Sequence, residues 1–284
     1  MPAARRAAQR YIQRYITVSS DPPRTAPIVS TPQILELAVL FLAVATLYSA
    51  VGHAGASGYL AAMALVGVAP DTMRPVALSL NIAVAAFTTF RFRQARFFDA
   101  KVVLPFLIGS VPFAFLGGAL KLPASAYQAL VGAVLLVSAA YLGWRGFSRI
   151  AERPEREVSV PRWVSPIAGA LIGLLSGLTG TGGGIFLSPL VLLMGWAGPK
   201  ATAGIAAPFI MVNSVAGLAG GWVQGHLTAA LFPTAILPLA LVALGGAWLG
   251  TWLGIHKLTS RWLIATLALV MSIAAFKMIG MALR

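Results

Sequence analysis

Two short polar stretches interrupt long apolar runs and hold the side chains best suited to chemistry. The first reads GHAGASG at residues 52–58, and the second reads TGTGGG at residues 179–184. The histidine of the first stretch can carry a proton or donate a hydrogen bond to an oxyanion, and the hydroxyl groups of both stretches can donate one. The same groups can instead satisfy loop carbonyls or cap the helix that follows. Both alternatives stay open at His53, Ser57, Thr179 and Thr181.

Glycine dominates both stretches, which predicts irregular backbone inside an apolar environment. Glycines leave backbone N–H groups unobstructed, and the following helix points its positive N-terminal end at the gap, where it stabilises an anion. An asparagine lies in the apolar segment after each stretch, where a buried amide needs a hydrogen-bond partner. We therefore expect a small anion to bind here. The candidate substrate-binding residues are Gly52, His53, Gly55, Ser57, Gly58, Asn81, Thr179, Gly180, Thr181, Gly182, Gly183, Gly184 and Asn213.

The sequence argues against several other chemistries. It contains no cysteine, so thiol catalysis and thiolate metal sites are excluded, and its three scattered histidines offer no ligand pair for haem. We expect no cofactor and no metal. The residues GASG at 55–58 match the GxSG signature of rhomboid-type intramembrane serine proteases, with His53 or His226 as the base. That enzyme stays an alternative, although a protease would not explain the internal repeat described below.

The elements that position these residues are apolar spans. The chain of 284 residues is 58% hydrophobic and 10% charged, with a mean hydropathy of +0.85, whereas soluble domains carry about a quarter charged residues. Residues 163–199 and 201–256 contain no Asp, Glu, Lys or Arg. Because a bilayer core requires about 20 apolar residues per helix, the sequence predicts an all-α polytopic membrane protein, in a bacterial inner membrane.

The net charge of +14 comes largely from basic clusters beside the spans. That placement is typical of loops held in the cytoplasm, so we expect a lipid bilayer around the chain and no nucleic-acid partner. The basic segment 1–33 is interpreted as an N-terminal tail before a retained span, with a cleaved signal peptide as the alternative. Asp71, Asp99 and Lys277 fall at predicted span ends, where we expect them to be solvated.

Two halves of the chain repeat. Residues 51–67, VGHAGASGYLAAMALVG, align with residues 179–195, TGTGGGIFLSPLVLLMG, and the pair at 117–118 aligns with the pair at 245–246, all at an offset of 128. Each half has about four apolar segments and opens with a glycine-broken one, an organisation typical of secondary transporters. The predicted domains are a tail at 1–33, a first repeat at 34–144, a charged cytoplasmic linker at 145–162 and a second repeat at 163–284.

The orientation of the repeats depends on the broken segments. If each is a re-entrant hairpin, the repeats are inverted, and the basic loops at 91–101, 145–162 and 256–261 all lie in the cytoplasm, but the tail does not. If each crosses once, the repeats are parallel and the tail is cytoplasmic. We expect inversion, because facing half-helices then meet at one midplane site.

Other glycines recur at every fourth position, at 169, 173 and 177, at 217, 221 and 225, and at 246, 250 and 254. Such spacing lets helix backbones approach closely. We interpret these faces as packing inside one chain, with a homodimer interface as the alternative.

The second-half segment GLLSGLTGTGGGIFLSPLVLLMG, its first-half counterpart and the basic turn after the second span resemble the TauE/SafE-type sulfite exporters, also called the toluene-sulfonate uptake permease family. The resemblance covers about residues 35–281. It implies a duplicated helical fold and transport of sulfur-containing oxyanions or organosulfonates, often outward. We therefore expect a secondary transporter, not an enzyme, that exports sulfite or an organosulfonate by alternating access between the repeats. A transporter of a different small anion is the nearest alternative.

Overall fold

The computed structural model describes residues 31–147, 160, 163–225, 236–256 and 261–283. These residues form ten α-helices and no strand. The first five are α1 (Thr31–Ser49), α2 (Ala56–Val66), α3 (Pro70–Gln94), α4 (Ala100–Ala119) and α5 (Ala124–Phe147). The last five are α6 (Val164–Thr179), α7 (Gly184–Leu193), α8 (Pro199–Val223), α9 (Ile236–His256) and α10 (Arg261–Ala282).

Six helices within the described residues are long and apolar enough to cross a membrane, namely α1, α3, α4, α5, α8 and α9. Shorter apolar helices stand at α2, α6 and the end of α10. The predicted all-α membrane fold is therefore confirmed. Among the six, α3 and α8 are the most buried, and both contain 25 residues. These two helices form the centre of the bundle, where they pack against each other.

Helix α3 begins earlier than its sequence suggested. The sequence predicts an apolar span at about residues 75–92, after the charged residues Asp71 and Arg74, but the helix starts at Pro70, and Pro75 lies inside it. Proline is favoured at the first helical position, because its missing N–H would have no partner there. Pro75 removes one further bond, to the carbonyl of Asp71, and Asp71 is exposed. As a result, the four residues before Pro75 belong to the helix rather than to a loop.

The first helix of each half packs on the fourth helix of the other half, through glycine. A Cβ at Gly169, Gly173 or Gly177 of α6 would collide with the carbonyl oxygens of α4 at Phe106, Ser110 and Ala114. A Cβ at Gly246, Gly250 or Gly254 of α9 would meet the carbonyl oxygens of Leu42 and Thr46 in α1 and of Ala50 directly after it. These six glycines are therefore used for packing inside the chain and are not free to form a dimer face. In the third predicted face, Gly217 lies next to Gly177, whereas Gly225 has open space around it.

Charged residues at the predicted span ends are exposed, as expected for Asp71, Asp99 and Lys277. The Asp99 side chain caps α4 by accepting a hydrogen bond from the backbone N–H of Lys101, at 2.8 Å. His226 lies outside the described residues.

Candidate functional site

Two short non-helical segments separate α1 from α2 and α6 from α7. We call residues 50–55 the first break and residues 180–183 the second break. Gly55 and Gly183 are the N-cap residues of α2 and α7, at φ 104° and φ 81°. Both angles lie in the left-handed region, which only glycine adopts without strain. Glycine is thus required where each break turns into the next helix.

The two breaks meet through His53. Its Nε2 lies 2.5 Å from the Oγ of Ser188 on α7, and both side chains are buried. A Cβ at Gly184, the first residue of α7, would lie 3.5 Å from the His53 ring. A titratable group of the first break therefore lies against the N-terminal turns of the helix that follows the second break.

The central helices supply an amide and a hydroxyl to the second break. Asn81 of α3 donates through Nδ2 to the Oγ of Ser214 on α8, at 3.3 Å. A Cβ at Gly182 would lie 2.6 Å from that Nδ2 and 3.0 Å from that Oγ. Asn81 is fully buried, and its Oδ1 has no hydrogen-bond partner among the described residues. The backbone at Gly182 therefore runs directly past an incompletely bonded amide.

A further unpaired polar atom lies near Gly183. A Cβ there would lie 2.9 Å from Phe209 of α8 and 3.4 Å from the Cβ of Ser176, whose Oγ has no partner among the described residues. Asn213, one turn after Phe209, donates through Nδ2 to the Phe209 carbonyl at 2.9 Å. The Oδ1 of Asn213 is buried and, within the described part of the chain, unpaired. Buried polar atoms are normally paired, so the unpaired atoms of Asn81 and Ser176 beside the second break are available to a further donor or acceptor.

The two candidate threonines bond to each other. Their hydroxyl oxygens lie 3.0 Å apart, and the hydroxyl of Thr179 also donates to the carbonyl of Leu175, at 2.7 Å. The hydroxyl of Tyr127 on α5 donates to the carbonyl of Thr179, at 3.3 Å. Thr179 and Thr181 thus already bond within the protein, where they fasten the end of α6.

Each break also rests on the central helix of the other half. A Cβ at Gly52 would overlap Ala203 of α8, and a Cβ at Gly180 would lie 2.9 Å from the Cγ of Arg74 on α3. Ala203 and Arg74 hold corresponding places, each four residues after the proline that begins its helix. The two contacts therefore involve corresponding helix positions, but Arg74 is charged and Ala203 is not.

The remaining first-half candidates pack against α1. Ser57 shares a 2.7 Å hydrogen bond with the hydroxyl of Tyr48. A Cβ at Gly58 would lie 3.0 Å from the Tyr48 ring, and one at Gly55 would lie 3.1 Å from Val44. The described contacts of Gly55, Ser57 and Gly58 are therefore with their own half, whereas His53 reaches the other half.

Comparison with known proteins identifies the family of this chain. The family model described as Sulfite exporter TauE/SafE matches residues 37–278. The chain belongs to the TauE/SafE sulfite exporter family. It is 34% identical over 247 residues to the Probable membrane transporter protein y4hK of Sinorhizobium fredii (strain NBRC 101917 / NGR234), which covers 87% of this chain and 98% of that protein. No solved structure matches it.

Membership in the TauE/SafE family confirms a membrane transporter rather than an enzyme. The protein is integral to the membrane, and its bacterial relative is consistent with a bacterial inner membrane. Of the two candidate bases of the protease alternative, His226 lies outside the described residues. Ser57 bonds Tyr48, and the Nε2 of His53 bonds Ser188 instead.

Sequence reasoning missed three residues that lie at the two breaks. Ser188 and Ser214 look like ordinary small polar residues in apolar helices, and only the packing of the helices places them at the breaks. Arg74 was missed because a span that starts at Pro75 leaves it outside. Pro70 could have indicated the true start of the helix, because proline is favoured at the first helical position.

The electrostatic character of the site is positive or neutral. Among the described residues, Arg74 and His53 are buried, whereas no Asp or Glu is. Within the same residues no three His, Cys, Asp or Glu side chains come together as a metal site. Such surroundings favour an anion over a cation.

Proposed function

We propose that this protein is a secondary transporter that exports small sulfur-containing anions, sulfite or organosulfonates, from a site between the two breaks. The observation that carries the proposal is the contact of His53 with Ser188 and Gly184, which joins the two glycine-broken segments. An anion that leaves water must regain hydrogen bonds inside the protein. Backbone N–H groups at the starts of α2 and α7, with hydroxyl and amide side chains beside them, can supply these bonds.

The substrate class rests on the TauE/SafE family and on the chemistry of the site. Sulfite and sulfonates present several oxygen acceptors on one sulfur atom and carry negative charge. The described site offers donors and cations and contains no buried carboxylate. A site of this kind attracts an oxyanion and disfavours a metal cation, which requires anionic oxygen ligands.

The mechanism we propose is alternating access between two repeats, at 34–144 and 163–284. Three left-handed glycines of the first half, Gly52, Gly55 and Gly67, have counterparts at an offset of 128, Gly180, Gly183 and Gly195. The helix contacts repeat as well, because the first helix of each half packs on the fourth helix of the other half. A rocking motion of one half against the other, around the joined breaks, would expose the site to each side in turn.

Flux measurements across a substrate panel test this function. Purified protein in liposomes is preloaded with sulfite, methanesulfonate, sulfate, thiosulfate or chloride, and efflux is compared with that from protein-free liposomes. We expect sulfite or the sulfonate to leave fastest. Selective efflux of another small anion would favour the alternative transporter, and no protein-dependent efflux of any of these anions would contradict the proposal.

A further inference from the structure

Arg74 is a buried cation without a buried counter-charge. Its side chain is 8% exposed, although it belongs to a helix in the centre of a membrane protein. No aspartate or glutamate is buried in the described part of the chain, and Asp71, one turn earlier on α3, is exposed. A buried charge is strongly destabilising unless it is paired, and the described residues supply no buried carboxylate to pair with Arg74, so its surroundings favour an anionic partner.

The carbonyl groups around Arg74 position its side chain but do not neutralise it. Nη1 donates to the carbonyl of Leu120 at 3.1 Å, and Nη2 donates to the carbonyl of Gly118, at the carboxyl end of α4. The negative end of a helix offsets part of a positive charge. A guanidinium has five N–H donors, so the two bonds leave others for an additional acceptor.

The position of Arg74 links it to the second break. A Cβ at Gly180 would lie within 2.9–3.3 Å of Arg74 atoms, and Asn81, two turns further along α3, contacts Gly182. Helix α3 therefore lies against the second break through the backbone and Cγ of Arg74 at one point and through the amide of Asn81 at the next, while the Arg74 guanidinium extends to Gly118 and Leu120. At the first break the corresponding residue is Ala203, which carries no charge.

We propose that Arg74 supplies the fixed positive charge that binds the transported anion at the second break. The planar guanidinium matches the paired oxygens of a sulfite or sulfonate group. The site then selects its cargo by negative charge as well as by shape. This inference rests on the proposed function and adds the residue on which charge selection depends.

Lys277 provides a matched control. It also donates to a carbonyl at a helix end, from Nζ to Leu65 at the end of α2, at 3.0 Å. Unlike Arg74, it is exposed. If Arg74 only caps α4, then Arg74→Gln and Lys277→Gln should have the same kind of effect, a loss of stability without a change in selectivity.

The experiment compares a charged and an uncharged ligand of similar shape. Methanesulfonate and methanesulfonamide compete with radiolabelled sulfite for uptake into proteoliposomes. We expect the wild type to prefer methanesulfonate by about tenfold or more, and Arg74→Gln to lose most of that preference. Lys277→Gln should keep it. An unchanged preference in folded Arg74→Gln would overturn the inference.

A second variant, Arg74→His, tests the inference if Arg74→Gln does not fold. Arg74→His carries a charge that depends on pH, whereas the charge of methanesulfonate does not change between pH 6 and pH 8. We expect its preference for methanesulfonate to grow as the pH falls, by more than any change seen in the wild type. The same pH dependence in both proteins would overturn the inference. Absence of sulfite uptake by the wild type would instead contradict the proposed function.

Discussion

Two buried polar atoms beside the second break have no partner among the described residues, the Oδ1 of Asn81 and the Oγ of Ser176. Burial of an unpaired polar group is costly, so such groups are usually rare. The Ser176 hydroxyl can donate a hydrogen bond to an anion, whereas the Asn81 amide must first rotate and give up the bond that its NH₂ group donates to Ser214. Both residues therefore retain hydrogen-bonding capacity for an anion that enters between the breaks.

Substitution of Gly182 tests the second break. The Cβ of Gly182→Ala would lie 2.6 Å from Asn81 and 2.7 Å from Ile210, and the residue has φ 74°. We expect flux to fall by about tenfold or more, because Asn81 and Ser214 must shift. Backbone strain alone costs about 1 kcal/mol. Gly67→Ala has that strain at φ 85° with open space around it, so its flux should stay near that of the wild type. Equal effects of the two substitutions on flux would mean that Gly182 is needed only for its backbone conformation.

His53 is expected to make transport depend on pH. Histidine changes its charge between pH 5 and pH 8, and the protonated form attracts an anion that the neutral form does not. Flux of methanesulfonate, whose charge is constant in this range, should therefore rise as the pH falls. His53→Gln can still bond Ser188 but cannot titrate, so its flux should not vary with pH. If flux through His53→Gln depends on pH as it does in the wild type, another titratable group causes the dependence.

The sequence allowed the glycine stretches and His53 to be recognised, because glycine and histidine are unusual in an apolar span. It did not show which residues of the other half lie against them. Ser188 reaches the first break, and Arg74 the second, only through contacts between residues more than 100 positions apart, and Ser214 reaches Gly182 only through the packing of helices within its own half. Ser57, which looked equivalent to His53 as a donor, instead bonds Tyr48 of its own half.

At the scale of helices, glycine determines how closely the two halves approach. Carbonyl oxygens of α1 and α4 lie where the side chains of α9 and α6 would stand. Without a hydrophobic effect between helices in lipid, such close packing is a main source of attraction. The sequence predicts the apolar spans from their length. It does not predict that α1 pairs with α9 and α4 with α6, because the glycine spacing is the same in several helices.

Adjacent glycines of α9 test this packing. A Cβ at Gly246 would lie 2.6 Å from the carbonyl oxygen of Leu42, whereas one at Gly245 would meet open space. We expect Gly246→Ala to lower the free energy of unfolding by about 1–3 kcal/mol through overpacking. Gly245→Ala should be neutral or stabilising by up to about 1 kcal/mol, since alanine favours helix. Thermal unfolding in detergent measures both, and equal midpoints would refute the close contact.

At the scale of the whole molecule, the arrangement of the halves determines how the site opens. Helices α3 and α8 begin at prolines 129 positions apart and end in turns with positive φ at Arg96 and Gly225. If the repeats are inverted, these two ends face opposite sides of the membrane. If they are parallel, the ends face the same side.

Cysteine labelling distinguishes the two orientations, because the chain has no cysteine of its own. Gln94 and Gln224 are both exposed at the ends of α3 and α8. We expect an impermeant thiol reagent added to intact cells to label Gln224→Cys and not Gln94→Cys, since the basic loop after Gln94 is held in the cytoplasm. Labelling of both from one side would contradict inversion.

Counterflow tests the central claim most directly, that this protein carries a sulfur-containing anion by alternating access. Proteoliposomes loaded with unlabelled sulfite or methanesulfonate are diluted into a trace of the same radiolabelled anion. A carrier exchanges one anion for another, so we predict a transient accumulation of label above equilibrium that Gly182→Ala loses and Gly67→Ala retains. Label that only equilibrates, or that enters no faster than in protein-free liposomes, would contradict the account.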